Sequence, residues 1–538
     1  MITIETNRRT RSVSPLLASS EGPTPPARQK IDPRSSILYS LSLVAVYLLF
    51  LHRLADRDLW SSHEARAAMD AQTILDDGNW GMTRLYDGRF ELQKPPLYYW
   101  LTASLGWLRG GVDAWAVRLP SALSAILCVV AVAVGLGVAK PRSVAGPIAT
   151  VVLATAVHFT WLARIGRVDM PLTLCITVAL GGMYLSQGVA RWQRCLSLTT
   201  SYLALAAALL LKGPIGVALP TAVMGLHLAV ELGVPRPSRW RVWLASLRKL
   251  GVWWGVPLVA VLTIPWFVWA NRVTDGAFFR VFFWHHNIER GLGGSSLRSN
   301  PWWFYGPQFV GDFLPWSLAI PLALWWSRRR GLWHSDPKAR FGLVWFGAIF
   351  VVLSCSRFKR ADYLLPAYPG MAVFLGCAGS DWVRRLSCEG RRRAISAFVW
   401  SICITVGIWL FRVEWQLPAS EPYRDYRAFA ARVRQFAPQP DEVVFFRTEA
   451  HPLAFRVGRP LAIVVEWEDL DARLRRPGAH YFVTPSNVVE ECRQRLRHLR
   501  FERVADNESL SGGKHERPLA LLRSVGESGV AAADTLSP

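Results

Sequence analysis

The feature that most constrains this chain is its series of long runs with few or no charges. They occupy 36–51, 115–139, 143–163, 170–190, 195–211, 214–230, 251–270, 304–326, 341–355, 363–380 and 394–411. Most reach the roughly 17 to 25 residues that cross a hydrocarbon core about 30 Å thick, and a single globular core needs no such series. The sequence therefore predicts an α-helical polytopic membrane protein. Composition agrees: 51% of the 538 residues are hydrophobic and 19% charged, which excludes an ordinary soluble enzyme, a disordered chain and a fibrous repeat.

The formal net charge is +23, a balance that in a soluble chain would suggest a nucleic-acid partner. Here the cations sit between the apolar runs: Arg8, Arg9, Arg11, Arg28, Lys30 and Arg34 in the N-terminal tail, then Lys140 and Arg142, Arg191 and Arg194, and clusters in 236–249, 328–340 and 384–393. Such clusters mark cytoplasmic connections, and they fall at every second one. Nucleic acid drops out as a partner. The run 95–110 would invert every later cluster if it crossed, so it is expected to lie flat on the outer surface, with Tyr98, Tyr99 and Trp100 at the interface. About eleven crossings follow, with a cytoplasmic N-terminus and an extracytoplasmic C-terminus.

Four segments are expected. Residues 1–35 read as a disordered basic cytoplasmic leader rich in Pro and Ser. Residues 36–412 form the membrane domain, with a long carboxylate-rich outer loop at 52–114. Residues 413–524 form a small extracytoplasmic α/β domain, with an amphipathic stretch at 423–436 and β runs at 443–446, 461–465 and 481–483. Residues 525–538 are an expected disordered tail. The eight cysteines show no CxxC or Cys/His spacing, so neither a disulfide framework nor a structural zinc site is expected.

Three constellations in the outer loops carry candidate chemistry. Ser61-Ser62-His63-Glu64-Ala65-Arg66 opens a helical run; Ser61 and Glu64 have the spacing of a capping box, while His63, Glu64 and Arg66 within one turn also suit acid/base work on a phosphate-bearing substrate. In Glu91-Leu92-Gln93-Lys94-Pro95-Pro96 two prolines fix the backbone at a helix entrance, leaving Lys94 either as a snorkelling anchor or as a ligand for an anion. In Arg164-Ile165-Gly166-Arg167-Val168-Asp169 the aspartate abuts an apolar run, and is either the partner of an arginine or a base. Further outward cations stand in 284–290 and 357–366, with aromatic residues among them and at Trp302 and Trp303. Cations on the side that orientation does not favour argue for an anionic ligand such as a lipid phosphate.

The ordered series HEAR at 63–66, QKPPLYYWL at 93–101, RLPSAL at 118–123, RVDMPLT at 167–173, KGP at 212–214, HNIERGLGG at 286–294, PWWFY at 301–305 and SRFKRADYLLPAYP at 356–369 resembles the polyprenyl-phosphate-sugar-dependent glycosyltransferases of the GT-C class. The nearest group is the 4-amino-4-deoxy-L-arabinose transferases of lipid A, with protein O-mannosyltransferases more distant. The resemblance covers about residues 37–412. It implies a GT-C-like bundle of about 11 to 13 spans in the cell's inner membrane, and inverting transfer of a sugar from a polyprenyl phosphate to a glycolipid, polysaccharide or protein acceptor at the outer face. The implied catalytic residues are Asp169, Glu64 and His63. The implied phosphate and donor ligands are Lys94, Arg66, Arg290, Lys359 and Tyr363. The resemblance leaves a divalent cation open at His286 and Glu91; the only implied cofactor is the lipid-linked donor itself. Two positions depart from the family pattern: His63 stands where an Asp is usual, and Gln93 where a Glu is common. A transporter or flippase for a lipid-linked anionic solute is the alternative, although no inverted repeat is evident.

Overall fold

The computed structural model describes residues 44–137, 144–289, 299–476 and 480–525, without the side chains of His286, Ile288 and Val525. The chain divides into a short unit, Met1–Ala45, almost wholly outside the described residues, and a large one, Val46–Pro538. The expected leader, the 525–538 tail beyond Val525, Lys140, Arg142 and Arg290 lie outside the described residues.

The long unit is mainly helical through residue 436, and its first described helix ends at Phe50. Helix α1, Ser62–Asp77, starts behind Ser61, whose hydroxyl accepts from the His63 N–H, and stops at Gly78 with φ 65°, where the absence of a Cβ permits the left-handed turn. The expected capping box is only half present, because Glu64 is drawn into the protein instead. Helix α2, Leu97–Arg109, has 13 residues and is about 20 Å long, too short to cross; it packs on α1 and on α3, Ala114–Leu136, which Asp113 caps through the Ala116 N–H.

The next apolar run is not one straight helix. Helices α4, Ala145–Thr155, and α5, Val157–Ala163, meet at 68°, with Ala156 extended between them. A second run breaks in the same way: Tyr305–Asp312 and Trp316–Arg330 meet at 109° around Pro315, which has no N–H to continue a helix. The two breaks satisfy one another. The Val157 N–H donates to the Leu314 carbonyl at 3.0 Å, and the Trp316 indole N–H to Thr155 Oγ1 at 2.8 Å, as backbone freed inside a hydrocarbon layer must be. Phe309, Phe313 and Tyr368 pack around this point.

Helix α6, Asp169–Leu185, and helix α7, Arg191–Lys212, run antiparallel, and α8, Ile215–Leu232, follows after Gly213. Among the described residues six helices are long and apolar enough to cross a membrane, or eight if each bent pair is one span. The series of about eleven expected crossings therefore includes pieces that are short, bent or outside the described residues.

Residues beyond 436 build a five-stranded sheet in the order β2-β1-β3-β5-β4, with β1 Val443–Phe446, β2 Ala462–Val464, β3 His480–Pro485, β4 Arg500–Asp506 and β5 Leu519–Val525. Strand β1 is parallel to β2 and β3, while β5 is antiparallel to β3 and β4. Alternate residues serve opposite faces. Val443 and Phe445 pack with Phe429, Val433 and Leu453; Val444 and Phe446 pack with Trp467, Leu470 and Cys492. The first core also takes in Met69 and Tyr86 from the long first loop, so the sheet domain is built onto that loop.

Candidate active site

A cavity of about 210 Å³ opens where α1, the start of α2, the 164–168 loop, the end of α7 and the 356–363 segment converge. Helical periodicity decides which residues of the HEAR motif reach it. His63, Arg66 and Ala67 line it. Glu64, about 100° round the helix, is fully buried on the other side. Its carboxylate accepts from Arg118 Nε at 2.7 Å, from Arg57 at 3.3 Å and from the Gly166 N–H at 3.0 Å. Burial would raise its pKa, but Arg118 and Arg57 outweigh that and hold it at about 2. The expectation that Glu64 works as a catalytic carboxylate does not fit this placement: its partners tie the first loop to α3 and to the 164–168 loop.

Lys94 sits at the rim of α2, held by the two prolines after it, and faces the cavity. Among the described residues its ammonium has no hydrogen bond and no ion pair. Burial lowers its pKa to about 8, with Arg66 adding to the effect. Arg66 is anchored by Glu91, 2.9 Å away, and Glu91 also accepts from the Gln93 N–H at 2.6 Å. Protein donors thus occupy the Glu91 carboxylate, the side chain of His286 is outside the described residues, and among those described no group of three or more His, Cys, Asp or Glu is placed to hold a metal. Among the described residues nothing supports the divalent cation that the resemblance leaves open at His286 and Glu91.

Asp169 begins α6 and, among the described residues, is the one carboxylate lining the cavity. Lys212 Nζ donates to its Oδ1 at 2.5 Å, and Arg167 Nη2 lies 3.1 Å from its Oδ2. Lys212 also stands 4.2 Å above the Tyr363 ring, so Tyr363 shapes the site from below the cation. The sequence left Asp169 as either an ion-pair partner or a base, and the pairing now has two cations in it. The sequence placed Arg167 only as one of two pairing options, and quoted Lys212 only within the KGP motif, with no role.

The 356–363 segment presents Arg360 rather than Lys359. Lys359 turns inward, donating to the Asn300 carbonyl at 3.1 Å and to that of Ser356, while Asn300 Nδ2 donates back to the Lys359 carbonyl at 3.1 Å. It fastens the segment instead of lining the cavity, contrary to its expected donor contact. Adjacent residues in an irregular segment point in different directions, and no periodicity tells which one reaches the site.

The lining thus carries Arg66, Lys94, Arg167, Lys212 and Arg360 against Asp169 alone. That surplus explains His63. Burial, then Lys94, Arg167 and Arg360, depress its pKa to about 3, so it stands in the cavity as a neutral imidazole of low proton affinity. A concave pocket with convergent cations, one held carboxylate and two buried tyrosines, Tyr98 and Tyr99, is built to take an anionic ligand.

Known proteins resemble this chain in sequence and in fold. A family model described as dolichyl-phosphate-mannose-protein mannosyltransferase matches residues 35–286. An uncharacterized protein of Aquifex aeolicus is 27% identical over 371 residues, 68% of each chain. The undecaprenyl phosphate-alpha-4-amino-4-deoxy-L-arabinose arabinosyl transferases of Shewanella sediminis and Pseudomonas paraeruginosa are 28% and 30% identical over 63% of this chain. The alignment spans 59% of the length of each of these two relatives. The crystal structure of ArnT from Cupriavidus metallidurans bound to undecaprenyl phosphate superposes with a TM-score of 0.73 at 21% identity, covering 90% of this chain and 98% of that one. An Archaeoglobus fulgidus oligosaccharyltransferase in the apo form gives 0.52 at 13%, covering 80% and 64%. In sequence and in fold, this chain resembles the membrane glycosyltransferases that draw their sugars from lipid-phosphate carriers.

Proposed function

We propose that this protein transfers a sugar from a polyprenyl-phosphate donor to an acceptor at the outer face of the membrane, with inversion. The observation that carries the reading is the cavity with five cations and a single carboxylate, set among apolar helices. The lipid phosphate is the leaving group: as the bond from the anomeric carbon to the phosphate oxygen breaks, its electron pair passes to that oxygen, and Lys94 with Arg66 and Arg360 stabilises the growing charge. The acceptor hydroxyl attacks the anomeric carbon from the opposite side and gives its proton to Asp169. Lys212 and Arg167 keep Asp169 ionised and aimed, and Glu64 holds the loop that carries His63 and Arg66.

The acceptor is a glycolipid such as lipid A, a polysaccharide or a protein hydroxyl. The outer-face reading rests on charge. Arg191 and Arg194 stand at the end of α7 opposite Lys212, 21 and 18 residues away along the helix and about 32 and 27 Å distant, a separation that supports a reading with the basic clusters and the cavity on different sides of a bilayer. The 413–524 domain then lies outside the cell membrane with the cavity, and the N-terminus in the cytoplasm.

The test incubates purified protein with radiolabelled polyprenyl-phosphate sugars and scores lipid phosphate released against label taken up by vesicles. Release with transfer to an acceptor is expected, and Asp169→Asn should abolish it while leaving monodisperse folded protein. Uptake without release, or full activity in Asp169→Asn, would overturn the reading.

A further inference from the structure

His158 lies in α5, inside an apolar run where an ionisable side chain is costly unless it has partners and a purpose. Its side chain is nearly buried between two carboxylates from other elements: Nδ1 is 3.2 Å from Asp312 Oδ2, and Nε2 is 3.5 Å from Asp362 Oδ1. The Tyr368 hydroxyl is 3.3 Å from Nδ1. The other oxygen of Asp362 is 2.6 Å from Arg167 Nη2, the nitrogen that also reaches Asp169. Asp312, His158, Asp362, Arg167, Asp169 and Lys212 therefore form one alternating chain, from the junction of the two helix breaks to the cavity. Arg360, 3.4 Å from Asp362, joins it from the side.

Carboxylates only accept hydrogen bonds, and a neutral imidazole donates from one nitrogen while its other lone pair would face an oxygen. Each ring nitrogen faces a carboxylate oxygen at ion-pair distance, and only the doubly protonated ring turns no lone pair towards one. With His158 charged, the three carboxylates of the chain balance the charges of His158, Arg167 and Lys212. We propose that His158 is a positioning residue, a standing imidazolium that holds Asp362 on Arg167 and so fixes how much of Arg167 is shared with Asp169. This rests on the transfer reaction proposed above. His158 touches no part of the cavity lining's reacting end; it acts through Asp362.

The consequence has a sign. Asp169 works ionised, so the rate falls as pH drops through its titration. When His158 is replaced, Asp362 has only Arg167 and Arg360, draws Arg167 away, and leaves Asp169 holding a proton more tightly. The acid limb of the kcat–pH profile should then move to higher pH, by about one unit in His158→Phe. Asp312→Asn releases His158 wholly to Asp362, which then draws less on Arg167, and should move the limb to lower pH by a smaller amount than Asp362→Asn. Asp362→Asn releases Arg167 wholly to Asp169 and should move it to lower pH. A packing defect alone does not reverse sign between neighbours. If His158→Phe does not fold, His158→Gln takes its place in the contrast with Asp362→Asn.

A second measurement needs no activity. Magic-angle-spinning spectra of 15N-histidine-labelled full-length protein, with His158→Gln to assign the signal, should show both ring nitrogens of His158 protonated near neutral pH. A neutral tautomer there, or profiles that shift in one common direction or not at all while wild type is active, would overturn the proposal. A wild type that transfers no sugar but shows the doubly protonated ring would instead count against the proposed reaction.

Discussion

Two cations near the cavity have opposite surroundings, and the difference separates scaffold from site. Arg118 is fully buried and spends all five N–H donors: two on Glu64, and the rest on the carbonyls of Leu54, Arg57 and Asp58. A guanidinium with nothing left to donate is a fastener. Lys94, half-buried at the cavity, has no such partner among the described residues, and an unpaired ammonium partly withdrawn from water costs stability unless an anion completes it. Because Lys94 in the free protein titrates at about 8, its charge is present below that pH and lost above it. Affinity for undecaprenyl phosphate should be level from pH 6 to about 7.5 and then fall by at most tenfold per unit, one proton being linked to binding. Lys94→Ala should weaken binding and flatten the dependence; a wild-type affinity that stays level to about pH 10 would remove Lys94 from the phosphate site. Lys94 was legible from its two prolines and its place on the outer side. The role of Glu64 was not, because it depends on Arg118, 54 positions away.

Helices were easier to read than their joints. Apolar runs located α3, α6, α7 and α8 to within a few residues, since hydropathy needs no tertiary information. The bends at Ala156 and Pro315 escaped, because each is stable only through the other's hydrogen bonds. Strands β4 and β5 escaped as well: Arg500–Asp506 has few apolar residues, being at the sheet edge, and β5 comes after it in a chain already past the expected β runs. The antiparallel pair α6 and α7 matters most for the site, because it brings Asp169 to Lys212. At Gly182 a Cβ would lie 2.3 Å from Ser201 Oγ and 2.9 Å from the Ser197 carbonyl, whereas at the neighbouring Gly181 it would meet nothing within 4 Å. Gly182→Val should therefore force the two helices apart, costing about 1–3 kcal/mol and lowering both the thermal midpoint in detergent and the transfer rate. Gly181→Ala should leave both unchanged or slightly raise stability. Equal effects of the two substitutions would show that the approach of the helices does not support the site.

At the scale of the whole molecule, the sheet domain is clamped to the loop that carries the site. Arg456 grips Asp58, with Nε 3.1 Å from Oδ1; Arg459 reaches Asp76 at 3.0 Å and Asp77 at 3.1 Å; and the Leu461 N–H donates to the Tyr86 carbonyl at 3.0 Å. The clamps are unequal. Asp58 is 1% exposed on its side chain, while Asp76 and Asp77 are 37% and 32% exposed. Water and salt screen the second pair, which is worth at most about 1 kcal/mol. Removing Arg456 leaves the buried Asp58 carboxylate beside Asp425 without its ion-pair partner, at a cost of about 3–5 kcal/mol. Arg456→Ala should thus lower the thermal midpoint and the transfer rate together, at any salt concentration. Arg459→Ala should have a small effect that vanishes in high salt. The pair Asp58→Asn with Arg456→Ala should recover much of what Arg456→Ala loses, since the stranded charge is gone. If instead Arg456→Ala loses stability but keeps the full rate, the sheet domain is an appendage, and α1 needs only Glu64 and Arg118 to hold His63 and Arg66 over the cavity.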